Sequence, residues 1–115
     1  MHELSVCLSL LEQVQTIAAE RGASRVTRIE LKVGPLSGVE SGLLRSAWPM
    51  ASAGTIAAGA EFVLDEAGIT VRCGACEAET PARANRLVCG ACGDFHTTVV
   101  SGDEMILQRV ELETG

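Results

Sequence analysis

Residues 73–92 read CGACEAETPARANRLVCGAC, and they contain two Cys-x-x-Cys motifs separated by twelve residues. Each motif places two sulfur atoms on one tight turn, and glycines at positions 74, 90 and 93 are expected to relieve the backbone there. Two facing turns supply four thiolates in a tetrahedron, the ligand set of a structural zinc ion. The spacing therefore predicts a zinc ribbon whose ligands are Cys73, Cys76, Cys89 and Cys92.

Zinc is expected to stabilise most of this segment. Residues 69–103 contain few large apolar side chains, so metal binding should supply most of the folding free energy. Four thiolates leave no open position for a reacting water, and the zinc is therefore predicted to be structural. Disulfides are one alternative, but five cysteines leave one unpaired. A rubredoxin-like iron site is another, but only Phe95 is near enough in sequence to shield it.

Two further residues with metal-binding side chains are predicted to lie outside the zinc site. Cys7 falls on the apolar stripe of a predicted helix, where it is expected to be a buried small hydrophobic residue. His96 follows the second motif and is expected to be solvated, although it could touch the metal if a cysteine were lost.

The first third of the chain predicts a helix and a strand. Apolar residues recur at three- and four-residue steps, which predicts a helix over residues 4–21 that is capped by Gly22. Residues 25–33 alternate apolar with charged side chains and predict a strand with one solvated face. The apolar stripe of the helix comprises Leu4, Val6, Cys7, Leu8, Leu10, Leu11, Val14, Ile17 and Ala18.

The rest of the chain predicts a second helix and two more strands. Residues 39–53 carry a helical apolar face, and Pro49 should kink this helix because it lacks a backbone N–H. Strands are predicted over residues 60–65 and 105–113. Because a two-stranded sheet is marginal alone, the last strand is expected to return to the first two, which makes the cysteine segment an insertion.

These elements predict an α+β fold in which two helices and a three-stranded sheet carry an inserted zinc ribbon. The predicted domains are residues 1–68 together with 104–115, and a zinc-ribbon domain at residues 69–103. No internal repeat is present apart from the two Cys-Gly-Ala-Cys turns.

Charge and composition disfavour several classes of partner. The 115 residues carry a formal net charge of −6 with one Trp, no Tyr and two Phe, which argues against nucleic acid. The longest uncharged stretch falls short of the ~20 apolar residues of a membrane span. The start of the chain has no basic region before its apolar residues and no small-residue cleavage site after them, both of which a signal peptide would have. The chain is therefore expected to be cytoplasmic and to have no membrane span.

The sequence begins Met1-His2-Glu3, and this start offers a second kind of metal site. The Met1 amine, the His2 backbone nitrogen and the His2 imidazole are consecutive donors on one short chain. If the intervening amide deprotonates, these nitrogens can take three corners of a square plane. The Glu3 amide nitrogen or a water is available for the fourth, and such a plane suits Ni(II) or Cu(II).

Five features of the sequence form one pattern: Met1-His2-Glu3-Leu4-Ser5, the segment Arg28-Ile29-Glu30-Leu31-Lys32-Val33-Gly34, Gly54-Thr55 with Gly59-Ala60, the paired cysteine motifs, and Gly102-Asp103-Glu104. Together these features resemble the HypA/HybF family of nickel metallochaperones. Two features depart from that family: Pro49 lies inside the second helix, and Gly90 stands where a proline is common. Neither residue is a predicted ligand.

The resemblance implies a metallochaperone rather than an enzyme. Such a protein would deliver Ni(II) for maturation of [NiFe]-hydrogenase, and in some organisms urease, with a HypB-type GTPase and the hydrogenase large subunit or its maturation complex as partners. By position, His2 would be the nickel ligand, and Met1 and Glu3 would contribute main-chain nitrogens or, for Glu3, a supporting side chain. The four cysteines would hold structural Zn(II), in a ribbon attached to a small α/β nickel-binding domain.

Two other classes of function compete with nickel delivery. A zinc-ribbon adaptor would join proteins without using the N-terminus, so nickel binding that depends on a free Met1 amine separates it from a metallochaperone. An enzyme is disfavoured because the predicted metal site is closed and the sequence contains no Tyr.

Overall fold

A computed structural model describes residues 2–114 and divides into two compact units. One unit comprises the residues up to Leu31, Val39–Asp65 and the residues from Ile106 onward, and the other comprises Lys32–Gly38 and Glu66–Met105. The predicted domain boundaries stay a prediction. Neither helix within residues 2–114 has the length and apolar character that crossing a membrane requires. The described elements are α1 His2–Glu20, β1 Ala23–Val33, α2 Ser41–Ser52, β2 Glu61–Glu66, β3 Ile69–Cys73, β4 Glu79–Ala82, β5 Thr97–Ser101 and β6 Met105–Thr114.

Helix α1 begins earlier and buries a narrower stripe than predicted. It starts at His2, so the expectation of a start near residue 4 is wrong. The first turn lacks an apolar repeat that could mark it, whereas Glu3 favours a helical start through the helix dipole. Leu8 is 50% exposed and does not belong to the buried stripe. The buried residues of α1 are Cys7, Leu10, Leu11, Val14 and Ala18.

Gly22 ends α1 as predicted. Its φ of +63° is left-handed, a conformation that glycine adopts without the steric cost of a side chain. Its N–H donates to the Ala19 carbonyl at 3.2 Å, and the Arg21 N–H donates to the Ile17 carbonyl at 3.1 Å. These bonds satisfy carbonyls of the last turn and allow the chain to enter β1 directly.

Strand β1 is the centre of the first sheet, whose order is β2-β1-β6. The last strand therefore returns to the earlier ones, as the sequence predicts. Hydroxyls on β1 reinforce this pairing, because Ser24 Oγ donates to the Glu113 carbonyl at 3.0 Å and Thr27 Oγ1 donates to the Glu111 carbonyl at 3.1 Å. Arg28 also bonds Glu61 on β2 at 2.7 Å. Exposed ion pairs of this kind contribute only modestly to stability.

The core side of β1 follows the predicted alternation over its second half. Ile29, Leu31 and Val33 are buried. Val26 is also buried, out of phase with them, and its N–H donates to the Ile56 carbonyl at 3.0 Å. The simple alternation therefore describes only part of the strand.

Helix α2 continues past its proline and anchors the aromatic part of the core. Leu44, Trp48 and Ser52 are buried at four-residue steps. The Trp48 ring stacks on Phe62 with centroids 4.7 Å apart and an interplanar angle of 7°. Pro49 lies inside α2, past its first turn, so the proline ring removes an N–H that would otherwise donate to the carbonyl four residues earlier. The predicted kink stays a prediction.

Two backbone segments of the second unit approach closely at Gly34 and Gly102. The Gly34 N–H donates to the Glu104 carbonyl at 2.8 Å, and the Leu36 N–H donates to the Gly102 carbonyl at 2.7 Å. A Cβ on Gly34 would overlap the carbonyl oxygen of Gly102. The turn that ends β1 therefore needs a glycine for space as well as for flexibility.

We predict that Gly34→Ala lowers the free energy of unfolding by more than about 2 kcal/mol, because the added methyl group overlaps backbone that cannot rotate away. Gly42→Ala is the control: nothing lies within 4 Å of its Cβ and alanine favours the helix, so stability should stay equal or rise slightly. Thermal unfolding of both variants, followed by circular dichroism, measures the difference. Equal stability of the two variants would contradict the close approach.

Candidate metal centre

The two cysteine motifs are positioned by the second sheet, whose order is β4-β3-β5. The central strand β3 pairs antiparallel with both neighbours, and Cys73 at its end is registered with Thr97 of β5. Strand β3 buries Ile69, Val71 and Cys73, so Cys73 continues the alternation of a small apolar core. The second motif lies in the connection between β4 and β5.

The four sulfur atoms of these motifs form one cluster in which all of them lie within 4.8 Å of one another. Cys73 Sγ is 3.6 Å from Cys92 Sγ, and Cys76 Sγ is 3.5 Å from Cys89 Sγ. A tetrahedron with zinc–sulfur bonds of about 2.3 Å has edges of about 3.8 Å. The cluster thus has the dimensions of a tetrahedral metal site, and the sequence predicted its four members.

Disulfide pairing, which the sequence left open, does not occur at these positions. All five cysteines are free. The sulfur–sulfur distances of 3.5 and 3.6 Å are far above the roughly 2.05 Å of a disulfide bond. The arrangement instead brings one sulfur of each motif next to one sulfur of the other, as a shared metal ion requires.

Backbone N–H groups favour the thiolate form of the first cysteine in each motif. They lower the pKa of Cys89 to about 6, and the N–H of Cys92 has the largest effect. The N–H of Cys76 likewise lowers the pKa of Cys73. Thiolates bind metal ions, so these turns prepare both sulfurs for coordination. The hydrogen bonds are Ala75 N–H and Cys76 N–H to Cys73 Sγ at 3.3 and 3.4 Å, and Ala91 N–H and Cys92 N–H to Cys89 Sγ at 3.3 and 3.4 Å.

The second cysteine of each motif keeps its proton more strongly. A backbone N–H at Asp94 favours the Cys92 thiolate, but hydrogen bonds with the sulfurs of Cys73 and Cys76 outweigh it and raise the pKa of Cys92 to about 12. A backbone N–H at Ala78 has the largest single effect on Cys76 and favours its thiolate, but the hydrogen bond with Cys89 and burial together raise the pKa of Cys76. Four thiolates at this spacing repel one another, so a cation must displace these protons to bind.

The two motifs repeat one backbone geometry. The residue after each motif has a positive φ, which is +63° at Glu77 and +79° at Gly93. The N–H of Glu77 donates to the Cys73 carbonyl at 3.1 Å, and the N–H of Gly93 donates to the Cys89 carbonyl at 2.9 Å. A side chain in this conformation costs about 1 kcal/mol. Sequence analysis missed Glu77, because glutamate gives no signal for a left-handed residue.

The glycines inside the motifs have a different role from the one predicted. Neither Gly74 nor Gly90 is among the described residues with a positive φ, so the predicted backbone relief applies only to Gly93. The Gly74 N–H donates to the His96 carbonyl at 2.7 Å, and a Cβ there would lie 3.1 Å from that oxygen. The Gly90 N–H donates to Thr80 Oγ1 at 2.8 Å. Both glycines therefore permit close contact with neighbouring strands or loops.

His96 and Cys7 lie outside the sulfur cluster, as the sequence predicts. His96 is exposed, its Nδ1 is 2.7 Å from Asp94 Oδ1, and its ring stacks on Phe95. Cys7 is fully buried in the first unit, and its Sγ is 3.5 Å from the Leu44 carbonyl oxygen. Burial raises the pKa of the Cys7 thiol, and the nearby charge of Glu3 adds to this effect. Cys7 is thus a protonated core residue.

The N-terminal donors are described only in part. Met1, which the sequence predicts as a nickel ligand, lies outside the described residues. His2 is exposed at the first residue of α1, and Glu3 follows it in the same turn. Glu3 also lines an apolar groove together with Leu43 and Met50 of α2. Sequence analysis missed this groove, although the two apolar residues stand seven positions apart on a predicted helix.

These observations define a small α+β protein with a four-cysteine metal site. The family model described as "Hydrogenase/urease nickel incorporation, metallochaperone, hypA" matches residues 1–112, and the chain belongs to the HypA family. The hydrogenase maturation factor HypA of Nitrosospira multiformis is 46% identical over 114 residues, covering 99% of each chain. HypA of Chlorobium limicola is 36% identical over 115 residues, covering 100% of this chain and 99% of the relative.

Solved structures share the fold. The solution structure of the nickel metallochaperone HypA from Helicobacter pylori superposes with a TM-score of 0.69 at 22% identity, covering 98% of both chains. Another solution structure of a HypA protein gives a TM-score of 0.69 at 24% identity, covering 100% of this chain and 98% of that chain. The resemblance inferred from the sequence is confirmed, and the family is one of metallochaperones, not of enzymes.

We predict that the purified protein carries about one zinc ion per chain and that Cys92→Ser loses most of it, because three thiolates cannot complete the tetrahedron. The ribbon segment should then unfold while α1 and α2 persist. Cys7→Ala is the matched control and should retain the metal, because Cys7 is outside the cluster. Elemental analysis and circular dichroism check both points. A reduced, chelator-free preparation without zinc, or visible iron–thiolate absorption bands, would refute the assignment.

Proposed function

We propose that this protein binds Ni(II) at its N-terminus and delivers it for the maturation of [NiFe]-hydrogenase, and in some organisms urease. Membership of the HypA family over residues 1–112 is the observation that carries the proposal. The partners we propose are a HypB-type GTPase and the hydrogenase large subunit or its maturation complex. We place these steps in the cytoplasm, where reducing conditions keep cysteine ligands available for metal.

The proposed nickel ligand is His2, with main-chain nitrogens of Met1 and Glu3 or a supporting Glu3 side chain. The exposed position of His2 supports this assignment, because nickel can reach the imidazole from solvent. The first four N–H groups of an α-helix have no acceptor within the helix. Since α1 begins at His2, the amides of His2 and Glu3 belong to this group. Their deprotonation therefore breaks no hydrogen bond of α1.

The charge balance at this position favours amide nitrogens over neutral donors. The N-terminus of a helix carries a partial positive charge, which disfavours a bound cation. Two deprotonated amides would offset the charge of Ni(II), and the carboxylate of Glu3 adds a negative charge in the first turn.

The two metal sites differ in ligands and in task. The sulfur cluster would hold Zn(II), which supplies structural cross-linking of the two cysteine turns. The N-terminal site offers nitrogen donors that can form the square plane preferred by Ni(II). An acceptor can approach a site at an exposed helix start and replace its donors one at a time. Transfer then requires no catalytic residue in this chain.

We predict that untagged protein, with its zinc already counted, binds one Ni(II) ion tightly, and that an N-terminal extension or His2→Ala abolishes this binding. Both changes remove a nitrogen donor, whereas a C-terminal tag removes none and serves as the control. Zinc content and helix content should stay unchanged in every form, because His2 is exposed at the start of α1. Calorimetric nickel titration and elemental analysis provide the measurements.

Equal nickel affinity in the two tagged forms would place the nickel elsewhere and favour the zinc-ribbon adaptor. In cells, His2→Ala should reduce hydrogenase activity when nickel is limiting, and excess nickel should restore part of it. Normal activity at limiting nickel, with the variant expressed, would likewise reject the N-terminal site as the delivery site.

A further inference from the structure

Helices α1 and α2 leave an apolar groove of about 320 Å³ on the surface of their unit. The groove is open to solvent over the described chain, and only one of its lining residues is charged. That residue is Glu3, which is also part of the proposed nickel site. The lining residues are Glu3, Leu4, Leu43, Ser46, Ala47 and Met50.

The α2 side of the groove is an apolar stripe that the core does not use. Leu43 is 49% exposed and Met50 is 68% exposed, whereas Leu44 and Trp48 on the core side of α2 are almost completely buried. Exposed apolar side chains of this size that line one groove are typical of binding surfaces. The stripe therefore contributes little to the fold of this unit and is available to a partner.

We propose that this groove docks the apolar face of an amphipathic helix carried by the protein that exchanges nickel with the N-terminus. The inference rests on the proposed function, because nickel can be transferred between the two proteins only if donor atoms of the partner reach His2. Glu3 follows His2 directly and lines the groove, so a helix seated there is anchored beside the metal.

The dimensions of the stripe match a helix. Leu43, Ala47 and Met50 follow one another at four- and three-residue steps, so they span about 10 Å along α2 at a rise of 1.5 Å per residue. Two turns of a partner helix present apolar side chains with the same spacing. Burial of these residues would add apolar contact without any rearrangement of α2.

Charge favours a different protein over a second copy of this chain. The formal net charge is −6, and two copies meeting at this groove would bring their Glu3 carboxylates together in an apolar contact. A partner helix with a Lys or Arg at the edge of its apolar face would instead pair with Glu3. The occupant we infer is therefore apolar with a basic edge.

The test compares Leu43→Ala/Met50→Ala with Val100→Ala/Phe95→Ala. The control removes side chains of similar exposure, 49% at Val100 and 73% at Phe95, from the other unit. The probe is the purified HypB-type GTPase, and the measurements are its dissociation constant, the Ni(II) dissociation constant and the oligomeric state of each variant. We expect the groove variant to bind the GTPase at least tenfold more weakly and to bind nickel within twofold of the wild type. The control should match the wild type in both.

Unchanged GTPase affinity of the groove variant would overturn the docking site. A groove variant that changes only self-association would show that the groove is an interface between copies and would also overturn the proposal. Failure of the wild type to bind nickel is a separate result, which would refute the proposed function whatever the groove variant does to GTPase binding.

Discussion

The close approach of four cysteine sulfurs is the constraint on which the second unit depends. Two sulfur pairs lie 3.5 and 3.6 Å apart, and each pair joins one motif to the other. Backbone N–H groups lower the pKa of Cys89, whereas the neighbouring sulfurs of Cys73 and Cys76 raise the pKa of Cys92, so the four sulfurs do not ionise alike. Around the cluster, the core of the unit is small and centres on Ile69 and Val71 of β3. Metal binding therefore links the chemistry of the site to the stability of the fold.

The parts of this structure that local chemistry dictates could be predicted from the sequence. Gly22 ends α1 because a left-handed cap needs no side chain, and four cysteines at motif spacing converge because a tetrahedral ion needs four ligands. The return of β6 to β1 follows from the instability of a two-stranded sheet. The family resemblance supplied the functional class, which spacing alone does not determine.

The remaining features depend on tertiary contacts that a single sequence does not encode visibly. Leu8 belongs to the apolar stripe that the sequence predicts for α1, but it is 50% exposed. The part of that stripe that is buried is therefore narrower than the predicted stripe. Glu77 adopts a positive φ because it closes the turn of the first motif, in the position that Gly93 occupies in the second motif. Position 34 needs a glycine because a Cβ there would overlap the carbonyl oxygen of Gly102, which lies 68 positions later in the chain. These conformations and close contacts are determined by segments that are distant in the sequence, so the residues around each position do not reveal them.

We propose sulfur ligands for one metal and nitrogen ligands for the other, and X-ray absorption spectroscopy tests that division directly. The sample is untagged protein loaded with one equivalent each of zinc and nickel. At the zinc edge we expect four sulfur atoms at about 2.3 Å. At the nickel edge we expect a first shell of nitrogen and oxygen atoms without sulfur. Sulfur in the nickel shell, or nitrogen in place of sulfur around zinc, would contradict the separation of cargo from structural metal.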